Sequence, residues 1–205
     1  MQENLHLITN LIMDQLKIEV RKARPTEGRF IARCVMSAIG MPVFSKEFSK
    51  ENFEMLEVLS EVCAQPDTLY SYRNTIVATV GDIPVGALTA YSGAMYPQMK
   101  EKTFAMVKEK TGFEYKAQWD DETGAGEYYL DSLCVLPSFR GHHIGSLLVS
   151  QALETAEGLG FPLAALIVES EAKGLQEMYA KCGFTPAGKK FCFGKDFIRM
   201  VCQIF

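Results

Sequence analysis

Arg140, Gly141, His142, His143, Ile144, Gly145 and Ser146 form the stretch of this 205-residue chain whose residue types and spacing imply chemistry most directly. Before them, Leu130, Leu133, Val135 and Leu136 make a short apolar run that stops at Pro137, which cannot donate to a ladder and so closes a strand. After them, Ile144, Leu147, Leu148 and Ala152 recur at helical spacing, and the pattern fades at Gly158 and Gly160. The seven residues therefore join a strand to the first turn of a helix. The N–H groups of a helix start have no partner within the helix, and they carry the positive end of its dipole, so they favour an anion. Gly141 and Gly145 would let a pyrophosphate approach the backbone closely, and Arg140 adds a fixed positive charge. The expected ligand bears phosphate. A turn whose glycines serve geometry alone is the plainer reading of the same residues.

Acids stand just upstream. Glu127, Tyr129 and Asp131 alternate along the strand, so all three would face one side of it. Carboxylates so placed can accept a proton, or can line a polar rim and pair with Lys or Arg. His142 and His143 are adjacent on a turn, point apart and have no third ligand at a recognisable spacing, so no metal is expected. Neither a Gly-x-Ser-x-Gly elbow nor a Gly-x-x-x-x-Gly-Lys phosphate loop occurs.

The segment LCVLPSFRGHHIGSLL resembles the acetyl-CoA signature of the GNAT superfamily of N-acetyltransferases, whose loop reads Arg or Gln, any two residues, Gly, any residue, then Gly or Ala. Arg140 and Gly145 fill its first and last places, and His143 stands at its central glycine. Downstream, PLAALIVESEAKGLQEMYAKCGFTPAG resembles the family's next strand, helix and strand, including the tyrosine, Tyr179, that precedes Gly183-Phe184. Where the family often has Asn seven residues before that tyrosine, this chain has Ala172.

The resemblance implies a GNAT-type acyl-CoA N-acyltransferase fold, a mixed, mostly antiparallel sheet flanked by helices, split where acetyl-CoA enters as cosubstrate. It implies that the backbone of Leu133, Cys134 and Val135 meets the pantetheine arm while residues 140–146 hold the pyrophosphate. The acceptor would be a primary amine of a small molecule or peptide, attacking directly in a ternary complex. A lysine-like amine has a pKa of about 10.4, so about one molecule in a thousand is unprotonated at neutral pH. Something must take the proton. The place that aligns best with the family's glutamate holds Tyr129, which leaves Glu127 or Asp131 as the base. Tyr179 would protonate the leaving thiolate. A non-catalytic CoA or acyl-CoA binding protein of the same fold is the alternative, and the replacements at His143 and Ala172 feed it.

The elements that must position these residues follow from periodicity. Lys17 to Ala23 alternates as a first strand, and Pro25 opens a helix with Phe30, Ile31, Cys34, Val35 and Ala38 on one face, ended by Gly40. A second helix is predicted over Lys46 to Cys63. Thr75 to Val80 and Val85 to Tyr91 make a hairpin around Gly81-Asp82-Ile83-Pro84. Phe184 to Phe193 and Phe197 to Ile204 close the sheet around Gly194-Lys195-Asp196. Compared with a minimal family member, residues 94–126 are an insertion: a helix over Met99 to Lys110, then a mobile acidic loop. Whether it is a lid or a decoration stays open; as a lid, Asp120, Asp121 and Glu122 would favour a cationic acceptor.

The chain divides into an N-terminal extension, 1–14, and a single domain, 15–205. A formal charge of −4 gives no positive field to draw nucleic acid or an anionic membrane. Six scattered cysteines without a Cys-x-x-Cys pair read as buried thiols, and with no basic apolar leader the expected location is the cytoplasm. A strand edge or the extension offers a surface for a homodimer.

Overall fold

The computed structural model of the protein describes residues 17–205, so the expected extension at 1–14 lies outside the described residues. β-branched and aromatic runs form seven strands: β1 (Ile18–Lys22), β2 (Thr75–Val80), β3 (Ile83–Ser92), β4 (Glu127–Val135), β5 (Leu163–Glu169), β6 (Thr185–Cys192) and β7 (Lys195–Gln203). They make one sheet in the order β1-β2-β3-β4-β5-β7-β6, antiparallel throughout except between β4 and β5. Five helices, α1 (Gly28–Ala38), α2 (Lys50–Ala64), α3 (Tyr96–Thr111), α4 (Ile144–Gly158) and α5 (Lys173–Lys181), cover it.

Both faces are buried, which explains the continuous apolar runs of the central strands. On one face Ile31 and Val35 of α1, Leu59 and Val62 of α2 and Met99 of α3 pack with Val77, Ala87 and Tyr129. On the other, Ile144, Leu148 and Ala152 of α4 and Tyr179 of α5 pack with Leu88, Leu130, Leu166 and Phe184. Each such aliphatic side chain, fully buried, stabilises the fold by about 2 kcal/mol. The mixed, mostly antiparallel sheet between helices agrees with the sequence expectation. Among the described residues no helix is long and apolar enough to cross a membrane.

Several boundaries differ from the sequence reading, each for a local reason. α2 starts at Lys50 rather than Lys46 because the Ser49 hydroxyl accepts the Asn52 N–H at 3.2 Å and caps the helix there. The β2–β3 turn is Gly81-Asp82 alone, since Ile83 already pairs with Val80. Phe193-Gly194 alone joins β6 to β7, with Cys192 opposite Lys195. Within the insertion, α3 is present and ends at Gly112, left-handed at φ 72°, whose N–H bonds the Lys108 carbonyl. The segment after it is tied down rather than being the free acidic loop expected. Asp120 donates its N–H to the Phe191 carbonyl at 3.0 Å and its carboxylate accepts the Phe191 N–H at 2.8 Å. Asp121 pairs with Lys100, and its carbonyl accepts from Lys190 at 2.8 Å.

One irregularity sets up everything that follows. Thr89 lies opposite Ser132 and Ala90 opposite Leu130, so Asp131 is an extra residue in β4, a bulge against β3. β4 and β5 pair only at Glu127 with Leu163, Tyr128 with Ala164 and Tyr129 with Ala165. Beyond that point each strand stays bonded on its outer side, β4 to β3 and β5 to β7, while their facing edges part. The parting leaves backbone donors and acceptors on both walls of a cleft without strand partners, and such groups need a partner of another kind.

Candidate active site

The cleft opens as a cavity of about 640 Å³. One wall is the bulged end of β4, from Asp131 through Leu133, Cys134 and Val135; the other is Ile167, Val168 and Glu169 of β5. Arg140, Gly141, His143, Ile144, Gly145 and Ser146 close one end, so every residue expected to hold the cofactor lies on the cavity wall except His142. The loop geometry follows from its residues. Gly141 (φ 84°) and His143 (φ 58°) are both left-handed, which accounts for a glycine being usual at the second place. Histidine adopts this conformation more readily than most side chains, so the turn survives the replacement. A Cβ at Gly145 would stand 3.9 Å from Leu133 and 4.0 Å from Val135, ordinary contact, so glycine or alanine fits there equally. Arg140 turns back and donates through Nε to the Val135 carbonyl at 3.0 Å, bracing the loop against the end of β4.

α5 contributes Ala172, Leu175, Met178 and Tyr179. Gly183, left-handed at φ 93°, ends the run after α5, as its position predicts. Tyr179 is buried, its ring edge-on to Phe184 at 5.9 Å, and desolvation holds its phenol well above the ordinary range. It therefore stays protonated and has an O–H to donate. α1 adds Ser37, Ala38 and Gly40, which no sequence motif marked.

A second cavity, about 370 Å³, adjoins the first and shares Ala38, Asp131, Ile167, Glu169 and Phe197 with it. α1, α2, α3 and the β6–β7 turn supply mostly apolar walls, with Glu122, Asp131 and Glu169 as its acids and Tyr70 and Ser132 as its hydroxyls. Asp131 and Glu169 are thus the ionisable groups at the junction, and Glu169 is already paired with Lys195 at 2.6 Å. Tyr91 donates to it at 2.5 Å and Ser132 at 2.7 Å, yet burial still raises its pKa. Glu122 is buried beside it, accepting from Tyr129 at 2.9 Å and from Tyr96 at 3.4 Å. Burial first, and the Asp131 charge second, push Glu122 up to about 8, with Lys100 opposing. The two carboxyls line the same cavity as an acid pair, each favoured in its protonated form by burial.

The three acids and tyrosines of β4 thus have different fates. Tyr129 points into the acid pair's hydrogen-bond network, and Asp131 reaches the cavity junction. Glu127, the other candidate base, lines neither cavity. Its carboxylate accepts from Thr123 at 2.8 Å and from the Gly124 N–H at 2.9 Å, and pairs with Arg199. Glu127 therefore ties the insertion and β7 to β4, with three of its roughly four lone-pair sites engaged. Glu122, the other buried acid of the second cavity, carries no sign of its burial in the sequence, because that burial depends on the insertion folding back under Tyr96 and Tyr129, which no periodicity records.

A sequence model of the acetyltransferase (GNAT) family matches residues 73–184, more than half of the chain. Curated proteins include no sequence match. Among solved structures, one described as an acetyltransferase is similar at 25% identity and TM-score 0.72, over 91% of this chain and 100% of the other. An N-acetyltransferase from Staphylococcus aureus Mu50 is similar at 19% identity and TM-score 0.73, over 89% and 99%. A chain of the NatC complex bound to Gag peptide and CoA shares the fold at 16% identity and TM-score 0.53, over 92% and 99%.

Proposed function

The chain belongs to the acetyltransferase (GNAT) family, and from that membership we propose that it moves an acetyl group from acetyl-CoA to a primary amine by direct attack in a ternary complex. The observation that carries the reading is the junction of the two cavities at Asp131, one lined by strand edges and a helix start, the other by an acid pair. The residues of the first suit CoA chemistry. Backbone groups along Asp131–Val135 that face β5 without a strand partner supply bonds for an amide-bearing arm, and the start of α4 with Gly141 and Gly145 supplies an anion site. The NatC complex, one chain of which shares the fold, was solved with CoA bound, in keeping with CoA as the class of ligand.

In the step itself the amine nitrogen forms a bond to the acetyl carbonyl carbon and the carbon–sulfur bond breaks. The ammonium proton passes to the Glu122–Asp131 pair, whose raised proton affinity suits it to the task better than an exposed carboxylate. The departing sulfur is met by the Tyr179 hydroxyl. With that phenol held above its usual range, Tyr179 donates a hydrogen bond as thiolate charge develops, and the second proton that the nitrogen sheds on becoming an amide goes to the sulfur, which leaves as the thiol of CoA.

Titration calorimetry with acetyl-CoA, with dephospho-CoA as control for the phosphate contacts, tests the cleft. Micromolar binding is expected; none up to millimolar would remove the reading. Tyr179→Phe should then lower kcat by about a hundredfold while acetyl-CoA affinity stays within about threefold. Equal turnover by wild type and variant would take Tyr179 out of the chemistry, and no turnover by wild type with any amine would leave a binding protein.

A further inference from the structure

The second cavity also constrains what amine can enter it, and this inference rests on the acetyltransferase reading. Phe104, Phe113, Phe193 and Phe197, with Met41 and Met55, form its walls. Its charged lining is confined to the acid pair and to Glu169 with Lys195, which neutralise each other at 2.6 Å toward solvent. One cationic group is thus matched by carboxylates, and beyond the Ser132 and Tyr70 hydroxyls the rest of the acceptor meets rings, thioethers and aliphatic side chains. Additional ammonium or hydroxyl groups would lose water there and gain few partners. An acceptor carboxylate would face a lysine already paired.

A second observation is independent of the lining. Phe193 and Gly194 make a two-residue hairpin turn with φ 52° and φ 77°, both left-handed. Turns of this kind favour Asn-Gly, and a bulky side chain at the first position is strained. The strain places the Phe193 ring against Trp119 at 5.1 Å and Tyr115 at 5.6 Å, with Phe104 at 6.4 Å, on the cavity wall. Backbone strain retained at a cavity wall points to a use for the side chain it positions.

We propose that the acceptor is a small primary amine carried on an aryl or branched alkyl body, its ammonium toward the acid pair and its apolar body against Phe193 and the rings beside it. The volume of about 370 Å³ suits a small molecule rather than a peptide chain.

Steady-state thiol release at saturating acetyl-CoA, with 2-phenylethylamine, spermidine and kanamycin as probes, decides the matter. The expected result is a kcat/KM for 2-phenylethylamine at least about tenfold above the other two. Phe193→Asn supplies the residue the turn favours, which offsets part of the ring packing lost against Trp119, Tyr115 and Phe104, so the protein should still fold with a modestly lower melting temperature. Its KM for 2-phenylethylamine should rise about tenfold, with acetyl-CoA affinity unchanged. Preference for spermidine or kanamycin, or an unchanged KM in Phe193→Asn, overturns the apolar class and leaves the acetyltransferase standing. Failure of all three amines despite acetyl-CoA binding overturns the apolar class, of which 2-phenylethylamine is a simple member, while the acetyltransferase reading falls only if no amine turns over.

Discussion

Glu127 and Asp131 are four residues apart on one strand, both acidic and both largely buried, yet the structure gives them opposite expected responses to the same kind of change. Glu127 holds Thr123, the Gly124 N–H and Arg199 together. Glu127→Gln keeps an acceptor oxygen but leaves the Arg199 charge without its partner, so it should lower stability by roughly 1–3 kcal/mol. Turnover per folded molecule should stay near wild type. Asp131 stands where the cavities meet, and Asp131→Asn removes half of the acid pair while retaining the size of the side chain and an acceptor for Tyr91. It should lower kcat by about a hundredfold or more with a small change in melting temperature. Thermal melts beside steady-state kinetics separate the two, and a Glu127→Gln protein that melts like wild type but turns over a hundredfold more slowly would reinstate Glu127 as the base.

At the scale of elements, the site depends on how closely the insertion approaches the sheet. Gly93, just after β3, has no side chain, and a Cβ there would lie 1.9 Å from the Gly124 carbonyl oxygen and 2.6 Å from Thr123 Oγ1. That contact is with backbone, so no rotamer change relieves it. Gly93→Ala should therefore push residues 122–126 outward, move Glu122 from under Tyr129, and cut kcat/KM by tenfold or more, as about a 1 Å misplacement does. Acetyl-CoA affinity, set on the other side of β4, should hold; retention of full activity would show that Glu122 is not needed where it stands. Much of the element order was legible beforehand, since β1, the β2–β3 hairpin, α3 and the β4-turn-α4 unit each carry their own periodicity and punctuation. The fold-back of residues 113–126 was not, because it is fixed by long-range bonds such as Asp120 to Phe191 and by the absence of a side chain at Gly93. For the same reason the wall of the first cavity from Leu133 to Ser146, local in sequence, could be marked out beforehand, while the second cavity, assembled from segments scattered between α1 and β7, could not.

Over the whole molecule, the acid pair sets activity against stability. Glu122 titrates at about 8 in the folded chain because burial and the Asp131 charge disfavour its ionised form, whereas unfolded it would titrate as an ordinary glutamate, at about 4.3. Between those values the native state holds a proton that the unfolded state has released, so this group's contribution is fully present at low pH and falls as pH rises, levelling off above about 8. As proton acceptor the same group must be ionised, so kcat/KM should climb through the window in which stability declines. Glu122→Gln is neutral at every pH and still accepts from Tyr129. Its melting temperature should match wild type near pH 5 and exceed it by several degrees at pH 8 to 9, while its activity falls throughout. Melts of the two proteins across that range are the measurement. A gap that did not widen with pH would mean that Glu122 is ionised at no cost in the folded chain, and with that the case for it as a base of raised proton affinity would go.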